Sequence, residues 1–208
     1  MTDPRDRFNH SPATPLCTIA WFIEGEGELV IPGCLPAAPA PVRAVFAGPQ
    51  TRPTTSWNPG PVRLFMVLFY PQALQAISGI DMASCVDRWA ALDDVLGAEW
   101  QALSDAILAA PDDGALLALL EQFLAPLWQA ADTVLGRGVR NIERRIKARA
   151  GLSLRSLLRL RRAEQSFFAA DQAHLSRDVR GITGHSPGKF LRLLASGDES
   201  YWIYRIWL

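Results

Sequence analysis

Cysteine and histidine are scarce in this chain, three of each among 208 residues, and their scarcity closes off several kinds of chemistry. Cys17, Cys34 and Cys85 are odd in number and far apart, with no Cys-x-x-Cys pair. They can build neither a zinc ribbon nor the disulfide framework of a small secreted protein, so reduced thiols in a cytoplasm are the simple expectation. His10, His174 and His185 form no His-x-His set. The metal site of an enzymatic barrel therefore lacks its ligands, and neither a metal nor another cofactor is expected. The first residues carry no apolar signal core. A long hydrophobic run is lacking as well: the greasiest stretch, 115–131, is broken by Glu121, Gln122 and Pro126. It fits a buried helix, and no membrane partner is expected.

What is present suits an ordinary globular protein of one large or two small domains, 49% hydrophobic and 20% charged. A formal net charge of zero hides a split. Residues 1–136 carry 6 Lys and Arg against 15 Asp and Glu, a balance of −9, and residues 137–208 carry 15 against 6, a balance of +9. Such asymmetry suggests a basic nucleic-acid-binding part joined to an acidic partner.

The chain divides into three stretches. Residues 16–70 read as β-structure, with Ile19, Trp21, Phe22, Val30 and Ile31 placed around a Glu-Gly-Glu-Gly-Glu turn signal. Eight prolines between Pro32 and Pro61 exclude helix there. Residues 62–70 form a nearly continuous apolar strand, expected to be buried on both faces, and a small barrel or sandwich is the natural package. After Pro71 the spacing turns helical: Trp100, Leu103, Ile107 and Leu108 recur on one stripe, as do Leu116, Leu117, Leu120 and Leu124. Asp112 and Asp113 suit a helix N-terminus. Gly136 and Gly138 mark a break before the basic tail.

The tail holds a near-repeat. Residues 139–153 return 33 positions later as 172–186, with Ile142 matching Leu175, Arg144 matching Arg177, Ile146 matching Val179 and Gly151 matching Gly184. Each copy predicts an amphipathic helix closed by glycine. In the first, Val139, Ile142, Ile146 and Ala150 face inward, while Arg140, Asn141, Arg144 and Lys147 lie outward. In the second, Leu175, Val179 and Ile182 face inward, and Gln172, His174, Arg177 and Arg180 outward. Ser153 and Ser186 are expected to cap the next helices, the latter with Pro187 at the first helical position. Arginine can bridge two guanine acceptors, and asparagine or glutamine can do the same with adenine. Arg140, Asn141, Arg144, Gln172, His174 and Arg177 are therefore candidates for base edges, and Lys147, Arg155 and Arg180 for phosphates.

Ile142-Glu-Arg-Arg-Ile-Lys-Ala-Arg-Ala-Gly-Leu-Ser153 and Asp171-Gln-Ala-His-Leu-Ser-Arg-Asp-Val-Arg-Gly-Ile-Thr-Gly-His-Ser-Pro187 resemble the two recognition helices of AraC/XylS-type transcriptional regulators. The resemblance implies two helix-turn-helix units joined by a linker helix, at 153–168 here, each placing a helix in one of two adjacent major grooves. It also implies double-stranded DNA as partner, and a cupin-like N-terminal barrel plus helices that senses a small-molecule effector or forms a homodimer. Gly48-Pro-Gln-Thr-Arg-Pro53 and Cys85-Val-Asp-Arg-Trp-Ala-Ala-Leu-Asp-Asp94 are similar to segments of one bacterial branch.

The expected architecture is thus α+β. A sensing or dimerisation domain occupies 1–135, with strands over 16–70 and helices over 71–135, and an all-α helix-turn-helix domain occupies 136–208. One departure stands out. Family members place their reading helices roughly fifty residues apart; here the offset is 33, leaving no room for the second supporting helix, and 128–135 is a short candidate for the first. Either a stretch of chain is absent near 168–171 and 130–136, which the well-matched flanks favour, or the readers are degraded. In the latter case the protein is a ligand-binding or interaction module that does not bind DNA.

No catalytic set is expected. Gly184-His-Ser-Pro-Gly188 satisfies a nucleophile-elbow pattern, but a basic helix precedes it where a strand is required. The aromatic tail from Tyr201 to Trp207 is expected to dock on its own domain or on the N-terminal strands. Trp21, Phe65, Met66, Phe69 and Tyr70 are candidates for an effector pocket, with plain core as the alternative for residues at strand spacing.

Overall fold

The computed structural model describes residues 7–29, 42–135, 172–201 and 203–204. Among the described residues seven strands, β1 (Arg7–Ser11), β2 (Cys17–Glu24), β3 (Glu28–Leu29), β4 (Ala44–Ala47), β5 (Thr54–Asn58), β6 (Arg63–Phe69) and β7 (Trp89–Ala91), form two antiparallel sheets. One has the order β1-β5-β3, the other β6-β2-β4-β7. The closed barrel is not formed among the described residues, and a two-sheet sandwich takes its place. The cause is local. After β2, Gly25 adopts φ +76°, a left-handed conformation that glycine tolerates without a Cβ penalty. The chain leaves the β2 sheet there, and β3 joins β5 in the other sheet.

The four-stranded sheet has two different faces. Cys17, Ile19 and Trp21 of β2 are fully buried, and the register sets them beside Phe69, Val67 and Phe65 of β6. This face carries the core, which extends to Leu74 and Ile77 of helix α1 (Pro71–Ser78), to Trp100, Leu103 and Ile107 of α3 (Ala98–Leu108), and to Leu116 and Leu120 of α4 (Asp113–Leu135). A single-turn helix, α2 (Asp93–Leu96), precedes α3. The opposite face presents Leu64, Met66 and Leu68, the last 39% exposed. The expectation that 62–70 is buried on both faces is thereby corrected: period-2 alternation gives only one face to the core.

Two polar details fix the helices. Trp21 Nε1 donates to Ser104 Oγ at 2.9 Å, and Ser104 Oγ donates to Trp100 O at 2.9 Å, so the indole is buried with its donor satisfied. Asp112 Oδ1 accepts from Ala115 N at 2.8 Å, the N-cap bond that starts α4. Residues 128–135, expected as a short helix of their own, are the last turns of α4, which continues past Pro126. Pro126 is on the exposed side. Cys17 and Cys85 are buried free thiols, and burial pushes Cys17 up to about 12, so its thiolate is suppressed.

The C-terminal helices are α5 (Gln172–Thr183) and α6 (Pro187–Ala195), followed by a 3-10 turn, Glu199–Tyr201. Val179 and Ile182 are buried, as their stripe predicts. Gly184 at φ +75° ends α5. Pro187 opens α6, but Ser186 makes no side-chain capping bond. Thr183 does the local work instead: its Oγ1 donates to Val179 O and accepts from His185 N. Phe190, Tyr201 and Tyr204 form a second small core.

Candidate nucleic-acid interface and effector cavity

Helix α5 separates its functions by face. Arg177 and Arg180 are both exposed, and three residues of spacing put them on one side of the helix. Val179 and Ile182 hold the other side to the molecule. Gln172 and His174 lie in the first turn of the same helix. Arg140, Asn141, Arg144, Lys147 and Arg155 lie outside the described residues. The Gly184–Gly188 segment sits between two helices, a setting unlike the strand-to-helix turn of a nucleophile elbow.

A cavity of about 440 Å³ lies between the two sheets, within the ~300–1,000 Å³ range typical of small-molecule sites. One wall is the face of the four-stranded sheet turned away from the helices, with Phe22, Val45, Leu64, Met66 and Leu68. The facing wall carries Asn9, Ser11, Thr54, Ser56 and Asn58 of β1 and β5. Of the residues expected to line it, Met66 does; Tyr70, Trp21, Phe65 and Phe69 do not. The last three are on the helix side, where Trp21 stacks on Phe65 with ring centroids 5.6 Å apart and Phe69 meets the edge of Trp100 at 6.4 Å. Every second residue of a strand faces the same way, so the pocket set is the even-numbered one, Leu64, Met66 and Leu68. The legible signal was elsewhere: β1 and β5 are polar nearly throughout, so that Asn9, Ser11, Thr54, Ser56 and Asn58 supply side chains that seldom fill an inner face.

The cavity reaches the C-terminal part, since Glu199 and Ile203 contribute to its lining. Two contacts cross that junction, and a third holds Tyr201 in place on its own side. Ala13 N donates to Ile182 O at 3.0 Å. The His10 ring lies 4.7 Å from that of Tyr201. His185 Nε2 and Tyr201 Oη are 2.9 Å apart. Tyr201, at the start of the aromatic tail, thus meets both its own C-terminal part and β1, and the rest of the tail apart from residues 203 and 204 lies outside the described residues. His10 Nδ1 also meets Thr55 Oγ1 at 3.0 Å.

Burial lowers the pKa of His10, with His185 adding to the effect and Asp198 opposing it. Burial lowers that of His185 too, with Lys189 adding to it. Both rings therefore favour the neutral form in the folded protein. The unfolded chain binds more protons between the lowered values and 6.5, so stability rises with pH through that window. The contribution of the pair is complete above the ordinary imidazole value and is lost as the pH falls through the lowered ones. The denaturant midpoint is expected to drop more steeply from pH 7 to pH 5 in the native protein than in a His10→Gln/His185→Gln double variant. Parallel curves would refute the assignment.

The two segments similar to one bacterial branch meet in space. Gly48 N donates to Arg88 O at 3.0 Å and Asp87 N to Pro49 O at 2.8 Å. Thr51 donates to the Asp87 carboxylate through its amide at 2.6 Å and its hydroxyl at 2.5 Å. Next along the chain, Gln50 bridges Thr14 through two backbone bonds, beside the Ala13 that holds α5. The clasp thus stands one residue from the junction.

Comparison with known proteins is sparse. No protein-family model matches the chain, and no curated protein sequence matches it. Two solved structures are similar to it. One is an apo lysine-to-alanine variant of ToxT from Vibrio cholerae, 12% identical over 93% of this chain and 96% of that one, with a TM-score of 0.39. The other is ToxT from Vibrio cholerae at 1.65 Å resolution, 10% identical over 93% and 98%, with a TM-score of 0.37. Likeness at this level carries no functional assignment.

Proposed function

We propose that the protein is a transcriptional regulator that binds double-stranded DNA through its basic C-terminal third, under the control of a small molecule held between its N-terminal sheets. The observation that carries the reading is α5, an amphipathic helix whose apolar stripe is buried while Arg177 and Arg180 stand exposed on one face. Its sequence, Gln172-Ala-His-Leu-Ser-Arg177, resembles an AraC/XylS-type recognition helix. Gln172, His174 and Arg177, with Arg140, Asn141 and Arg144 of the first copy, are the proposed base readers; Arg180, Lys147 and Arg155 are the proposed phosphate contacts. A homodimer, a cytoplasmic setting and a domain boundary near residue 135 belong to the same proposal. The shared cavity wall at Glu199 and Ile203 supports effector control, because a ligand there touches both parts of the chain.

A salt titration of duplex binding tests it. Affinity should fall steeply with salt, and Lys147→Ala and Arg180→Ala, at proposed phosphate contacts, should each lower the slope of log K against log salt by about 1. An arginine that reads guanine should instead lose about 1–3 kcal/mol on its cognate site. Absent or salt-insensitive binding would leave the second reading, a ligand-binding or interaction module with a degraded tail. That reading is favoured by one observation, the 33-residue spacing of the two helix copies.

A further inference from the structure

We infer that the cavity between the sheets takes a ligand whose enclosed part is uncharged, with hydroxyl or carbonyl groups along one side and hydrocarbon along the other. The inference rests on the reading of this cavity as the effector site and adds the chemical class of the effector.

The three-stranded sheet turns a polar face inward. Inner faces of packed sheets are ordinarily apolar and outer faces polar. Here Asn9, Ser11, Thr54, Ser56 and Asn58 face the cavity, while Phe8 is 52% exposed and stands opposite Trp57 in register. A polar inner wall is costly unless its groups are hydrogen-bonded. Part of it is satisfied internally: Asn9 Nδ2 donates to Asn58 Oδ1, Asn58 Nδ2 donates to Glu26 O at 2.7 Å, and Gln50 Nε2 donates to Gly48 O at 2.9 Å. These bonds hold the amides in place. The hydroxyls of Ser11, Thr54 and Ser56, and that of Thr18 across the cavity, bond to no side chain or backbone group among the described residues. They are oriented by strand geometry and remain open to a ligand's polar edge.

The facing wall offers the complement. Phe22, Val45, Leu64, Met66 and Leu68 present hydrocarbon and one aromatic ring, and burying apolar ligand surface against them supplies roughly 25 cal/mol per Å². Charge is confined to the ends. Arg63 is the first residue of β6 and Glu199 opens the 3-10 turn; the other lining residues among the described ones are uncharged. Arg63 is already occupied, with Nη2 2.5 Å from Asp113 Oδ1 and Nη1 3.9 Å from Glu24 Oε1. An anionic head brought to it would meet two carboxylates already there. A charge carried deeper would lie between hydroxyls and hydrocarbon with no counter-ion among the described lining residues, which is strongly unfavourable. What fits both walls is a neutral amphiphile.

Three probes of matched chain length test this by calorimetry on the full chain, below the concentrations at which they form micelles: 1-octanoylglycerol, octanoate and octyltrimethylammonium. The neutral probe is expected to bind at least tenfold more tightly than either ion. A Thr54→Val/Ser56→Ala variant should weaken it about tenfold while leaving the residual binding of octanoate unchanged. Thr18→Val, on the other sheet, gives an independent variant should the double one not fold. Octanoate or the ammonium binding as tightly as the glyceride, insensitivity of the glyceride to the hydroxyl variants, or no saturable binding of any probe would each overturn the inference. The DNA titration fails separately: a chain that binds the glyceride but not DNA retains this inference and loses the regulator reading, and a chain that binds DNA but prefers octanoate does the reverse.

Discussion

Gly48→Ala is expected to destabilise the protein by about 3 kcal/mol or more, beyond the usual overpacking cost because rigid backbone is what the new methyl meets. A Cβ at position 48 would stand 1.8 Å from Cys85 O and 2.7 Å from Cys85 C. A side chain could rotate away from such a contact; a carbonyl at the end of a second 3-10 turn, Met82–Cys85, cannot. Nor can the two segments move apart freely, because Gly48 N donates to Arg88 O and Asp87 N to Pro49 O. The damage should spread, since Gln50 is bridged to Thr14 and Ala13 is bonded to Ile182 of α5. Denaturant unfolding measures the loss, and hydrogen exchange at the Ala13 amide should quicken with it. A change below about 1 kcal/mol would show that the clasp yields and that the close approach is incidental.

Trp21→Ala should cost about 4 kcal/mol, the upper part of the range for deleting a large buried aromatic. Trp21 is fully buried, stacks on Phe65 and bonds Ser104 across the boundary between the sheet and α3. Two milder variants separate packing from polarity. Trp21→Phe keeps most of the ring and loses the hydrogen bond, for about 1–2 kcal/mol, and Ser104→Ala leaves the indole N–H buried without its partner, at a similar cost. All three should leave cavity ligands unaffected in a folded protein, because Trp21 faces the helices. If Trp21→Phe altered ligand binding as strongly as Thr54→Val/Ser56→Ala, the assignment of the two sheet faces would be wrong.

That assignment marks how far the sequence could be read. Strand and helix territories were legible because prolines punctuate 32–61 and apolar residues recur at helical spacing in 100–124. The buried stripe of α5, Val179 and Ile182, was legible for the same reason, as was the helix start at Pro187. Strands β1 and β7 went unseen: β1 has little apolar content, and three-residue β7 is too short to show a period. The choice of cavity face also escaped, because β6 is apolar on both faces and alternation alone cannot say which side a helix will cover. The three helices packed on the sheet decided it, and the large rings of Trp21, Phe65 and Phe69 went to the core. Ser186 was read as a cap from its place before Pro187, whereas the structure gives the local bonds to Thr183, three residues earlier. The junction at His10, His185 and Tyr201 joins residues up to 191 positions apart, beyond the reach of any local pattern.

The bond from Ala13 to Ile182, and the ring of His10 against Tyr201, bear on modularity. A fragment ending near residue 135 would bare the Ala13 amide and one face of the His10 ring, and would lose Glu199 and Ile203 from the cavity wall. A graft carrying α5 and α6 onto a foreign sensor would strip the same partners from Tyr201. The seam is therefore a site of co-adaptation: substitutions at residues 10, 13, 182, 185 and 201 must be tolerated by both sides at once, and recombination that exchanges the tail alone inherits a mismatched joint.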